Sequence, residues 1–203
     1  MLLDQQQQAR VAEAIKSVER DTDAELVTVL AGQADNYFYI PTLWAAVIAL
    51  LVPLVLKLTP LWLQADELLM AQWLTFVVAA CLFRIPALMM RLVPAGVKQW
   101  RAANLARRQF LENNLHHTAG ETGVLIFVAE AEHYVEIIAD RGISRHVDDR
   151  QWQGIVDDFI AQIKAGDTER GFIDCIGQCG ELLKRHVPAT ADKDELPNHL
   201  LVL

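Results

Sequence analysis

Between Tyr37 and Met90 two long apolar runs flank a short polar link. The first run, residues 38–56, carries no charge and ends at Lys57. A helix needs roughly 20 apolar residues to cross about 30 Å of hydrocarbon, and this run just reaches that length. Lys57 can extend its ammonium toward the interface from the end of such a helix. The second run, residues 68–90, follows Asp66 and Glu67 and holds a single charge, Arg84. The link 58–67 is too short to hold a domain, so the arms are expected to be antiparallel. The reading is an integral, multi-pass membrane protein with spans at about 38–57 and 68–90. Its first partner is then the lipid bilayer.

Charge gives the expected orientation. Arg91, Lys98, Arg101, Arg107 and Arg108 follow the hairpin, whereas its link carries Asp66 and Glu67. Lys and Arg accumulate on cytoplasmic flanks. The soluble part is therefore expected in the cytoplasm, at the face of an inner membrane. Lys57, Arg84, Arg91, Lys98, Arg101, Arg107 and Arg108 are the candidate membrane-interface residues, and basic clusters beside a span attract anionic head groups. Arg84 lies near the far end of its run, where a long side chain can reach the interface.

The hairpin, 37–93, leaves about 150 residues, enough for one small domain. That domain is expected to be built from residues 1–36 and 94–188, with a flexible tail at 189–203. The net charge of −8 provides no general basic surface for nucleic acid. Cys81, Cys175 and Cys179 have no disulfide-framework spacing and fit a reducing compartment. The N-terminus lacks a basic segment followed by an apolar one, so no cleavable signal peptide is expected.

The soluble segments alternate helix and strand patterns. Val11, Ile15 and Val18 mark one face of a helix over 4–20, with Asp4 as its N-cap. Residues 25–30 are β-branched and short and read as a buried strand, and 124–128 are a continuous apolar run, as expected of a central strand covered on both faces. Residues 134–139 form a third strand, hairpin-linked to the second. Helices are expected over 97–116, 151–164 and 168–186, with Gly166 stopping the second and Pro188 closing the third. Residues 143–150 read as a loop. The connection between the first two strands contains a helix, which favours parallel pairing. Neither the first helix nor the first strand can bury a core alone. The hairpin is thus an insertion within one α/β domain, a small mixed sheet covered by helices.

The segment 121–143, Glu-Thr-Gly-Val-Leu-Ile-Phe-Val-Ala-Glu-Ala-Glu-His-Tyr-Val-Glu-Ile-Ile-Ala-Asp-Arg-Gly-Ile, resembles the TPM domain family, also called the TPM phosphatase domain. Residues 14–20, 24–29, 156–159, 165–167 and 171–172 are similar to other parts of that family's pattern. The resemblance spans about 9–187 apart from the hairpin and matches a bacterial subgroup with two inserted spanning helices. It implies an α/β/α sandwich and, for some members, divalent-metal binding and acid phosphatase activity. Members with a metal site usually carry a Gly-x-Gly-x-Glu loop after the strand hairpin, then an Asp. This chain has Ala139-Asp140-Arg141-Gly142-Ile143-Ser144, which retains Gly142 but has no following Glu. Asp148 or Asp149 stands where the later acid would be.

Asp140, Asp148 and Asp149 are accordingly the candidate metal ligands, for Ca2+ or Mg2+, since hard cations take oxygen donors. They lie beyond a strand end, where α/β proteins place ligands. The competing reading is a solvated acidic loop beside Arg141, Arg145 and Arg150. No phosphate-binding glycine loop, dinucleotide fingerprint, serine-hydrolase elbow or zinc-protease motif occurs. Asp157 and Asp158 face only partly away from the apolar stripe, one expected solvated and the other at a crowded edge, and Cys175 and Cys179 read as buried small side chains on one helical face. The expected function is a non-catalytic or weakly catalytic membrane-associated interaction protein that docks a membrane-protein partner. The alternative is a divalent-metal-dependent acid phosphatase at the membrane surface.

Overall fold

The computed structural model describes residues 3–60, 63–118, 120–190 and 200–203. The chain divides into two compact units, Met1–Ala34 with Gln99–Leu203, and Asp35–Lys98. The first holds helix α1 (Gln5–Glu19), strands β1 (Glu25–Ala31), β2 (Gly123–Ala129) and β3 (Tyr134–Ala139), helices α6 (Arg141–Ser144), α7 (Asp149–Ala165) and α8 (Thr168–His186), and strand β4 (Leu200–Val202). The second holds helices α2 (Tyr39–Lys57), α3 (Ala65–Leu82) and α4 (Pro86–Leu92). Helix α5 (Ala95–Glu112) begins in the second unit and gives its remaining turns to the first.

The four strands form one sheet in the order β3-β2-β1-β4. β1 and β2 are parallel, with Glu25 opposite Gly123 and Ala31 opposite Ala129. β2 and β3 are antiparallel, as a hairpin requires. Every residue of β1 and β2 is buried. Their side chains alternate between two cores. Leu26, Leu30, Val124, Ile126 and Val128 meet Val11 and Ile15 of α1, Trp152, Ile155 and Phe159 of α7, and Phe172, Ile176 and Leu183 of α8. Val27, Val29, Leu125 and Phe127 meet Ala102, Ala106 and Phe110 of α5 on the other face. The result is a helix-covered mixed sheet, the expected α/β architecture.

Local chemistry sets the element ends. Asp4 caps α1, its Oδ1 accepting from the Gln7 N–H at 2.8 Å while Gln7 Oε1 accepts from the Asp4 N–H at 2.8 Å. Gly166 closes α7 with φ of 90°, the left-handed region that glycine enters without a Cβ penalty. Gly142 is needed for space. Its N–H donates to the Glu121 carbonyl at 2.9 Å, and a Cβ there would lie 2.3 Å from the Gly120 oxygen.

The structure corrects three expectations. The second apolar run is broken: α3 ends at Leu82, and Pro86 opens the separate helix α4. The residue before a proline is disfavoured in the α region, and Ile85 is extended, at φ −62° and ψ 123°. Residues 143–150, read as a loop, include part of α6. The expected flexible tail ends in a strand: β4 lies parallel to β1, with Leu200 opposite Thr28, and the Leu203 N–H reaches the Leu30 carbonyl at 2.9 Å. Residues 191–199 of that tail lie outside the described residues.

Along α2 and α3 most large side chains point outward, while Tyr37, Ile40, Met89 and Val93 form a small buried cluster. Leu50 and Trp73 are each 67% exposed, whereas Ala45 is 0% and Ala49 3% exposed. Small residues form the contact with α3, so the two helices approach closely. Pro53 lies inside α2.

Replacing Gly142 with Ala forces a methyl group into the carbonyls of Gly120 and Glu121. Gly142→Ala should destabilise the sheet unit by about 3 kcal/mol, read as a lower thermal midpoint of the purified protein. An unchanged midpoint would show that the turn can yield.

Candidate functional site

The three candidate carboxylates sit at helix starts, and two are already engaged there. Asp140 follows β3 and caps α6, its Oδ1 accepting from the Arg141 N–H at 2.8 Å. The Ser144 hydroxyl donates to the Ala139 and Asp140 carbonyls at 3.0 and 2.9 Å and ties the turn together. Asp148 caps α7: its Oδ1 accepts from the Arg150 N–H at 3.3 Å, and Gln151 Oε1 accepts from the Asp148 N–H at 3.2 Å. Asp149 is the first residue of α7 and is exposed. Helix N-termini favour side-chain acceptors and negative charge without any ligand.

Among the described residues no group of three or more His, Cys, Asp or Glu side chains could hold a metal ion. Asp140, Asp148 and Asp149 are therefore not gathered into one donor set. One oxygen stands out: Asp140 Oδ2 is buried and has no hydrogen-bond partner among the described residues. A single such oxygen falls well short of the six to eight that calcium takes. The residues present do not fit the metal that the family resemblance implies.

The candidate interface cations have individual settings. Lys57 is exposed in the last turn of α2. Arg84 lies between α3 and α4, its guanidinium 5.6 Å from the centre of the Phe38 ring. Arg91 is exposed in the last turn of α4, and Lys98 Nζ donates to the Met90 carbonyl at 3.4 Å. The Arg101 guanidinium lies 4.9 Å over the Trp100 ring. Arg107 and Arg108 are exposed on α5. Asp157 and Asp158 are exposed on α7, with Gln153 Nε2 donating to Asp157 at 2.9 Å. Cys175 and Cys179 are buried; their mutual hydrogen bond and burial push the Cys179 thiol up, away from reactive thiolate.

A feature that sequence reasoning missed lies between β3 and α7. Asp149, Trp152, Gln153, Val156 and Ile160 of α7 face Val135 and Ile137 of β3 across a groove of about 460 Å³. Periodicity marks Trp152 and Val156 as apolar, but an apolar stripe reads the same in a closed core as in an open groove. Tyr134 and Glu136 also line it, and the Tyr134 hydroxyl donates to Glu136 Oε2 at 2.9 Å. Burial, then the charge and hydrogen bond of Glu136, raise the Tyr134 phenol above its usual range.

The TPM domain model matches residues 92–182. Over that stretch the chain is similar to the TPM domain family. The match begins after the apolar helices, and α1 and β1 lie outside it although β1 pairs with β2 throughout. The fold is similar to a solved structure: the NMR structure of BA42 protein from the psychrophilic bacterium Bizionia argentinensis superimposes with a TM-score of 0.62. That similarity covers 98% of this chain and 94% of BA42 at 19% identity, so it speaks to fold alone. No curated protein matches the sequence.

Two outcomes follow from the caps and the phenol. Asp148→Ala should lower stability by about 1 kcal/mol through loss of the α7 cap, with Asp149→Ala having less than half that effect, by denaturant unfolding. A Tyr134 pKa raised in the folded state gives stability that is present below about pH 10, the unfolded value, and lost as pH rises beyond it. Tyr134→Phe should flatten the alkaline limb of the stability profile, and an unaltered limb would place the titration elsewhere.

Proposed function

We propose that this TPM-domain protein is anchored in a membrane by α2 and α3 and works by docking a partner, not by catalysis. The observation that carries the anchor is the outward display of large apolar side chains. The best 18-residue windows of α2 and α3 have mean hydropathies of 2.2 and 1.4, with only 22% and 6% of their residues buried. A core helix of a water-soluble domain would be mostly covered. Contiguous apolar surface of this extent is rare on soluble monomers and marks membrane or protein contact. Backbone groups satisfied within helices are what hydrocarbon demands.

Orientation rests on the cations that follow the hairpin, which favour a cytoplasmic TPM domain by the positive-inside rule. The docking role is supported by the use of Asp140 and Asp148 as helix caps and by the lack, among the described residues, of a metal-donor set for metal-dependent chemistry. One observation favours the alternative, a metal-dependent phosphatase: the unpaired buried Asp140 Oδ2. Calorimetric titration with Ca2+ and Mg2+ separates the two. The docking reading expects no saturable heat. Micromolar binding abolished in Asp140→Asn would restore the phosphatase reading.

Alkaline carbonate should leave the protein in the membrane pellet, and release into the supernatant would overturn the anchor. In a Cys81→Ser background, Asp66→Cys should react with an impermeant maleimide from outside intact cells, and Arg108→Cys only after lysis. The reverse pattern would place the TPM domain on the other side.

A further inference from the structure

The groove beside β3 has the parts of a strand-addition site. β3 is the outermost strand on its side of the sheet. The Asp140 N–H donates to the Gly123 carbonyl at 2.9 Å, and Val124 lies opposite Ala139. In an antiparallel ladder this fixes which residues bond inward, because bonded and non-bonded pairs alternate. Tyr134, Glu136 and Ile138 therefore turn their backbone groups to β2. Val135, Ile137 and Ala139 turn theirs outward. The Ala139 carbonyl accepts from Ser144 Oγ. The N–H and C=O groups of Val135 and Ile137 meet no hydrogen-bonding group of another described element.

Sheet edges are usually blunted by lysine, proline or a bulge. β3 has none of these: it reads Tyr-Val-Glu-Ile-Ile-Ala, in unbroken register with β2. Beside this edge, the half-buried Ile160 and the rims of Trp152 and Val156, each 7% exposed, line an apolar wall, and Val135 and Ile137 face the same side. A strand laid along β3 would bond to Val135 and Ile137 and drop alternate side chains against that wall. This is the arrangement by which an exposed edge and a neighbouring helix recognise an extended peptide.

Charge selects the occupant. Glu136 and Asp149 line the groove and no Lys or Arg does. The Glu136 side chain points to the face opposite Val135 and Ile137, so a cation on the outer face of an added strand can pair with it diagonally. A second copy of this chain would bring the same two carboxylates to the same seam. We propose that β3 and α7 capture an extended segment of a partner protein in which apolar and basic residues alternate. The proposal rests on the docking reading above and gives it a surface and a partner chemistry.

The test uses the full-length, isotope-labelled protein in lipid nanodiscs and the peptide acetyl-Lys-Ile-Lys-Val-Lys-Ile-Lys-amide. At saturation the amide exchange of Val135 and Ile137 should slow at least about tenfold, as for amides entering a ladder. The same peptide N-methylated at its alternate ladder-facing amides keeps its charge and should give no protection. Glu136→Lys should weaken binding about fivefold. Val135→Pro removes only an outward N–H, which edge strands tolerate; it should retain the native amide spectrum and lose the peptide. Unchanged exchange at Val135 and Ile137, or equal binding by the N-methylated peptide, overturns the proposal. Docking lost in a protein that carbonate leaves in the membrane refutes this site alone. Docking retained in a protein that carbonate releases refutes the anchor alone.

Discussion

The parallel ladder between β1 and β2 is the interaction on which the other elements depend. It joins residues 25–31 to residues 123–129 across the apolar hairpin. Seven registered positions on each strand are buried, and each fully buried large apolar side chain contributes about 1.5–3 kcal/mol. Loop-closure entropy grows only logarithmically, by about 0.6 kcal/mol for each doubling of length. A long insertion between two such strands is therefore tolerated, provided the ladder itself is strong. Here it is strong because both faces are covered, one by α1, α7 and α8 and the other by α5.

That central pair also decides what happens at the two edges of the sheet. β4 covers the far side of β1, so β1 is an interior strand. Among the described residues β3 has no such cover, and its outward backbone groups stand beside the apolar wall of α7. The acidic residues near this end of the sheet serve geometry first. Asp140 and Asp148 satisfy helix N–H groups that would otherwise lack acceptors. A carboxylate held in a cap is fixed in direction, and the two caps start different helices.

The hairpin follows the opposite packing rule. In the sheet unit Phe127 and Phe159 are fully covered, while in α2 the covered positions are Ile40, Pro41, Ala45 and Ala49, and Leu43, Leu50, Leu51 and Leu54 face out. Small residues between helices and large ones outside suit a solvent as apolar as leucine itself. The break at Pro86 ends the second run before its apolar character ends.

The sequence by itself determined β1, β2 and β3, because continuous apolar runs such as Val124–Val128 call for burial on both faces, and it determined the parallel pairing, because a helix lies between the first two strands. It determined the stripe of α7 and the stop at Gly166 through 3.6-residue periodicity and glycine's access to positive φ. Tertiary structure decided three things that no local pattern carries. Leu200–Val202 is too short to announce a strand and became one only because β1 had an open side. Asp140, Asp148 and Asp149 are close in sequence, but Asp140 is held at the start of α6 and Asp148 and Asp149 at the start of α7. The groove at β3 exists because nothing described pairs with that edge. Whether an apolar stripe is core or surface depends on which element lies opposite, and that is a long-range property of the folded chain.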